Sequence, residues 1–131
     1  MKVFNLLKNI VQRLSAHEKE MDTPQAFGYT AVDSHFALDM FYGHKIGNYG
    51  IAYFRIHCTT ALQSGGTGLN LITMDLPKAP TTTLVGWYAV LRGATIQNNY
   101  FLGINGKSIR EGGNNAINVN DYYQGFIMFH M

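Results

Sequence analysis

Cysteine is nearly missing from this 131-residue chain: Cys58 stands alone. No internal disulfide can staple the fold, and that usage fits a chain folding in a reducing cytosol. Charge is scarce too. Charged residues make up 14% and the formal net charge is +2, too little and too scattered for an electrostatic footprint on nucleic acid. No apolar run approaches the ~20 residues that a membrane-crossing helix needs, so we expect no membrane insertion. The opening MKVFNLLKNIVQRL sets a lysine before apolar residues. Lys8, Gln12 and Arg13 interrupt it and no small-residue cleavage site follows, so no signal peptide is expected either. What the chain does have is apolar residues at 47%, with 14 Gly, 8 Tyr and 8 Phe. That favours strands and turns in one globular domain, with room for an appendage.

The appendage is visible at the front. Val3, Leu7, Ile10, Leu14, His17 and Met21 recur at alternating spacings of four and three, with Lys8, Arg13, Glu18, Lys19 and Glu20 off the seam. This is a heptad pattern. Asp22-Thr23-Pro24 closes it, because proline disfavours a helical residue before it. The seam can serve as a short oligomerisation stalk or pack on its own domain. We expect the stalk, since a strand-rich domain offers no sequence-adjacent helical partner. His17 then sets register rather than binding metal. The domains expected are a helical neck over 1–23 and a β-sandwich head over 24–131.

From Gln25 onward the chain reads as strand and turn. In GIAYFRIHCT (50–59), Ala52, Phe54, Ile56 and Cys58 form one face, opposite Ile51, Tyr53, Arg55, His57 and Thr59. The first set is the expected core face. SGGTG (64–68) turns into a strand in which Ile72, Met74 and Leu76 align. LNLITMDLPKAPTTTL (69–84) then stops on Pro77 and Pro80. Neither proline can donate a ladder hydrogen bond, which predicts a crossing to a second sheet before LVGWYAVL (84–91). That segment is apolar on both faces and suits a strand covered on both sides. Ile96, Tyr100, Leu102 and Ile104 align next, and Asn105-Gly106 predicts a two-residue hairpin turn. EGGNN reads as a loop, INVN as a short strand and YYQGFIMFHM as the last strand. Residues 27–44 hold one strand or two, and Asp39, Phe41 and Tyr42 there could be site or core. The fold class is all-β, a jelly-roll-like antiparallel β-sandwich after a short coiled-coil helix.

Motifs for chemistry are weak. GKS (106–108) suggests a phosphate loop, but that motif needs a glycine at position 101, which is Phe, and a helix afterwards. Asp33-Ser34-His35 supplies triad residue types as immediate neighbours, which rarely converge; a polar loop capped by Asp33 is expected. Histidines 35, 44, 57 and 130 lack metal-ligand spacing, and His57 and Cys58 face opposite ways. We therefore expect no metal, no cofactor and no enzyme. One constellation remains: Tyr53, Arg55 and His57 share the solvent-side face of one strand. Aromatic rings stack on sugar faces, and Arg and His bond hydroxyls or phosphates. The same stripe could instead meet a neighbouring subunit or water. Trp87 raises the same choice, with the core as its expected place.

KIGNYGIAYFRI, LITMDLPKAPTTTL, the Asn-Gly hairpin and the Tyr-rich final strand follow one another in this order. In this the chain resembles the C-terminal head domains of bacteriophage tail-fibre and baseplate receptor-binding proteins. Leu76, Pro77 and Pro80 match a leucine-proline, spacer, proline element of those heads, and the heptads ending at DTP resemble their helical neck. The resemblance covers about residues 45–131 plus the neck. It implies a homotrimer in the virion tail, assembled in the bacterial cytoplasm with other tail or baseplate proteins, that binds a host cell-surface glycan or other surface polymer. The candidate ligand-binding residues are Tyr53, Arg55, His57 and Trp87. A ligand-free decoration trimer and a tail-associated glycan hydrolase are the alternatives.

Overall fold

A computed structural model describes residues 2–62, 68–112 and 116–131, apart from the side chains of 16–22. Helix α1 (Lys2–Asp22) is followed by nine strands: β1 (Gln25–Phe27), β2 (Tyr29–Val32), β3 (Phe36–Ile46), β4 (Tyr49–Cys58), β5 (Asn70–Met74), β6 (Thr82–Arg92), β7 (Thr95–Asn105), β8 (Ser108–Glu111) and β9 (Tyr122–His130). The expected turn at 64–67, the loop at 113–115 and the seam side chains of His17 and Met21 lie outside the described residues.

Every strand pairing is antiparallel, in the order β1-β3-β4-β9-β6-β7-β8-β5-β2. The two ends of this order, β1 and β2, are consecutive in the chain and joined by Gly28 alone. The sheet is thus nearly closed on itself. It has two layers, because β7 changes partner along its length. Its first half pairs with β6 up to Phe101, and its second half pairs with β8 from Leu102. A barrel-like sandwich results, with the larger layer formed by β1, β3, β4, β9, β6 and the start of β7.

The proline-rich break is a crossing between these layers, as its chemistry predicts. Asp75 N–H donates to Gly28 O at 2.9 Å, still beside the smaller layer, and Thr81 N–H donates to His130 O at 2.8 Å in the larger one. Pro77 and Pro80 lie between, where no amide hydrogen is needed. The core face of β4 is also as expected, with Ala52, Phe54, Ile56 and Cys58 fully buried. They meet Leu71, Ile72, Met74 and Ile109 of the smaller layer and Tyr88, Tyr123, Ile127 and Phe129 of the larger. Gly125 fits this centre by lacking a side chain: a Cβ there would stand 2.5 Å from the Trp87 carbonyl oxygen and 2.6 Å from Tyr88 Cβ.

Of the one strand or two expected in residues 27–44 the chain has two, β2 and most of β3, with Phe27 ending β1. Several other expectations are corrected. INVN is no strand; it holds one bridge, Ile117 to Leu62, followed by a turn. The hairpin turn centres on Gly106-Lys107, because Asn105 pairs with Ser108. Gly106 has φ +61°, so glycine occupies the first central position, as in a type II′ turn. Ile96 is exposed, since the register shifts between the Val90 and Leu91 pairs and breaks the alternation that aligned it with Tyr100. On β6, Leu84, Val85 and Trp87 are exposed in the chain, so Trp87 is no core residue, while Ala89 on the same outer face is buried.

Among the described residues of α1, the seam is not packed inward. Val3, Leu7, Ile10 and Leu14 are 71%, 56%, 45% and 58% exposed. Phe4, Leu6 and Val11 are exposed as well, so the apolar stripe is wider than a strict two-position seam. No helix among the described residues is long and apolar enough to cross a membrane.

Candidate binding face on the larger sheet

Tyr53, Arg55 and His57 point out of the larger layer because their odd-numbered positions alternate with the buried Phe54 and Ile56. Register decides what stands beside them. Tyr53 pairs with Tyr42 of β3 and Phe126 of β9, and Phe126 pairs in turn with Trp87 of β6. Trp87 therefore lies on the same outer face as Tyr53, two strand spacings or about 10 Å away. The four residues singled out in the sequence share one surface.

The polar part of that surface is organised by side-chain contacts. His57 Nδ1 lies 2.9 and 3.1 Å from the two carboxylate oxygens of Asp39. Asp39 sits where the β3–β4 register shifts between Leu38 and Met40. An Nδ1–H donated to that carboxylate leaves Nε2 of the neutral ring as an acceptor. The Arg55 guanidinium carbon stands 4.3 Å above the Tyr122 ring, and the His57 and Tyr122 rings are 5.8 Å apart. Gln124 donates through Nε2 to the Tyr53 hydroxyl. Arg55 Nε is shielded from solvent and, among the described residues, has no hydrogen-bond partner. The arrangement offers aromatic faces, one stacked cation, an imidazole edge and an amide.

Toward the neck the same face becomes apolar. Ile51, Met128 and Val85 form one cross-strand row, and Pro24, His44, Ile46, Tyr49, Ile51 and Met128 line a concavity of about 580 Å³.

Three further carboxyl groups among the described residues are tied into structure. Asp33 caps its turn, accepting from His35 N–H at 2.9 Å with His35 Nδ1 2.7 Å away. Asp121 is buried and takes a two-point contact from Arg92 at 2.9 and 3.0 Å, plus Asn118 N–H at 3.0 Å. Arg92 holds the Asp121 carboxyl below its usual range. Glu111 is buried between the layers, where desolvation raises its carboxyl; Leu69 N–H and the Tyr123 and Tyr88 hydroxyls act in the opposite sense. Burial also raises the Cys58 thiol, whose Sγ reaches Thr60 O at 3.2 Å. Among the described residues no three His, Cys, Asp or Glu side chains are grouped to hold a metal ion.

Reading the sequence strand by strand missed Tyr122, Gln124 and Phe126, although they alternate through the final strand and could have been marked as one face. It named Asp39 and Tyr42 only as site or core, and their places beside His57 and Tyr53 come from the β3–β4 pairing. No family model, curated protein or solved structure matches the chain.

Proposed function

We propose that this chain is a binding head of the phage-tail receptor-recognition type. In this reading a jelly-roll-like sandwich stands on a short coiled-coil neck. It is a homotrimer displayed in a phage or prophage tail with other tail or baseplate proteins, and it recognises a bacterial surface saccharide. The observation that carries the reading is the outer face of the larger sheet. Tyr53, Arg55, His57 and Trp87 lie there together, in reach of solvent, with Tyr122, Gln124 and Phe126 between them. Rings for stacking and polar groups for hydroxyls are what a shallow sugar site requires.

The exposed stripe on α1 supports the trimer. Seven apolar side chains left in water along one helix favour self-association, and their width suits more than two helices. Three linked sites would raise the avidity of a weak single site by orders of magnitude.

A glycan array of bacterial envelope saccharides tests the reading. Wild-type protein is expected to bind, and Y53A, R55A or H57A to lose binding while keeping the wild-type circular dichroism spectrum. Equal binding by all three variants, or none by wild type, would refute it.

A further inference from the structure

Tyr53 and Trp87 belong to a longer alignment. Register places Tyr42, Tyr53, Phe126, Trp87 and Phe101 in one row across β3, β4, β9, β6 and β7. The row crosses four strand spacings, about 19 Å in all, with one ring per ~4.8 Å step. That step is close to the length of one pyranose in an extended chain. Tyr42 is 58% exposed, Trp87 39% and Phe101 81%.

Resting on the saccharide reading above, we infer that the row takes several consecutive residues of one acidic polysaccharide chain, laid across the strands rather than along them. Register argues for this occupant: the rings recur one per strand step, as the units of a polymer do. Twist argues for a single soluble chain over a flat crystalline surface. Neighbouring strands rotate by roughly 20–25°, so the row winds, and only a ligand free to wind can follow it.

Charge argues for acidity. The row itself carries none. The parallel row beside it runs Met40, Arg55, Gln124, Ala89 and Asn99. Arg55 is its single charge, and among the described residues no acid forms an ion pair with it. Asp39, the nearby carboxylate, is turned to His57. A carboxylate or phosphate substituent on the sugar chain would meet Arg55 while Gln124 and Asn99 bond hydroxyls.

Trp87 is the sole tryptophan, so its fluorescence reports on the row directly in the full chain. The probes are oligogalacturonates, glycerol-phosphate oligomers and neutral cello-oligosaccharides, each from one to six units. Affinity is expected to rise at least ~10-fold from one unit to about five and then level, with one of the acidic series preferred over the neutral one. The preferred acidic series identifies the substituent as carboxylate or phosphate. F101S and Y42A should weaken only the longer chains, several-fold, and R55Q should abolish the acidic preference while leaving the length dependence. Binding that is independent of length, or undiminished in F101S and Y42A, overturns the inference and leaves the saccharide reading intact. Equal affinity for neutral chains overturns its acidic part. No saccharide binding at all, whether or not F101S changes the solution mass, overturns both.

Discussion

Glu111 is a carboxyl buried between the two layers, and removing it strands its partners. It sits on β8 with 5% of its surface exposed, and its Oε1 accepts Leu69 N–H at 3.3 Å. Tyr88 and Tyr123, with rings 5.0 Å apart, present their hydroxyls from the opposite layer. In E111A the Leu69 amide and the Tyr123 hydroxyl lose their acceptor. Each buried unpaired group costs about 1–3 kcal/mol, so the loss is about 2–6 kcal/mol. At roughly 3–5 °C per kcal/mol for a domain of this size, Tm should fall by about 6–30 °C. E111Q separates charge from hydrogen bonding. Burial raises the Glu111 carboxyl above its ordinary 4.5, and the Asp33 charge adds to it. The folded protein therefore holds the proton longer than the unfolded chain does. The sign follows: this group's stability is fully present below the unfolded value and is lost as pH rises through the folded one. Chemical denaturation of wild type and E111Q across the mildly acidic range reads it out. Wild type should lose ground to E111Q as pH rises. If wild type gains instead, Glu111 is ionised and stabilised by its tyrosines, and the desolvation argument is wrong.

Asp121 should behave with the opposite sign. Its carboxyl is held low by Arg92, so its stability is present at neutral pH and lost as pH falls through that lowered value; D121N should cost on the order of 2 kcal/mol at neutral pH. The difference between D121N and wild type should vanish in strong acid, measured by urea titration at several pH values. G125A forces a Cβ to 2.5 Å from a backbone oxygen that cannot swing away, and should cost about 1–3 kcal/mol or prevent folding. Full stability in G125A would show that β6 and β9 are further apart there. L7D with I10D should convert an assembly to monomers by light scattering while leaving the strand signal of circular dichroism unchanged; an unaltered mass would remove the neck from the interface.

The parts of the fold legible in the sequence are those governed by short-range rules. Alternation identified the buried face of β4, because Ala52, Phe54, Ile56 and Cys58 need only a period of two to be recognised. The layer crossing at Pro77 and Pro80 was equally local, since missing amide hydrogens forbid a ladder whatever the partner strand. Residues 117–120 failed for the same kind of reason in reverse. Ile117 and Val119 alternate like a strand, but Asn120 takes φ +72° and Asp121 draws Asn118 N–H to its own carboxylate, which bends the backbone into a turn.

The candidate site was legible only as a stripe on one strand, because a binding face across a sheet is made by register. Tyr53 meets Tyr42 through a hairpin with a short turn, so that neighbour was within reach of local reasoning. Phe126 and Trp87 join the row through pairings separated by dozens of residues, and a slip of one position in β9 would have turned Phe126 inward. The slip is blocked by packing. Gly125 is the position on β9 where the Trp87 carbonyl oxygen and Tyr88 Cβ leave no room for a side chain, so the glycine favours the register that turns Phe126 out beside Tyr53 and Trp87. One constraint thus bears on both faces of the sheet: the close approach of β6 to β9 at Gly125 also aligns the rings on the outer face.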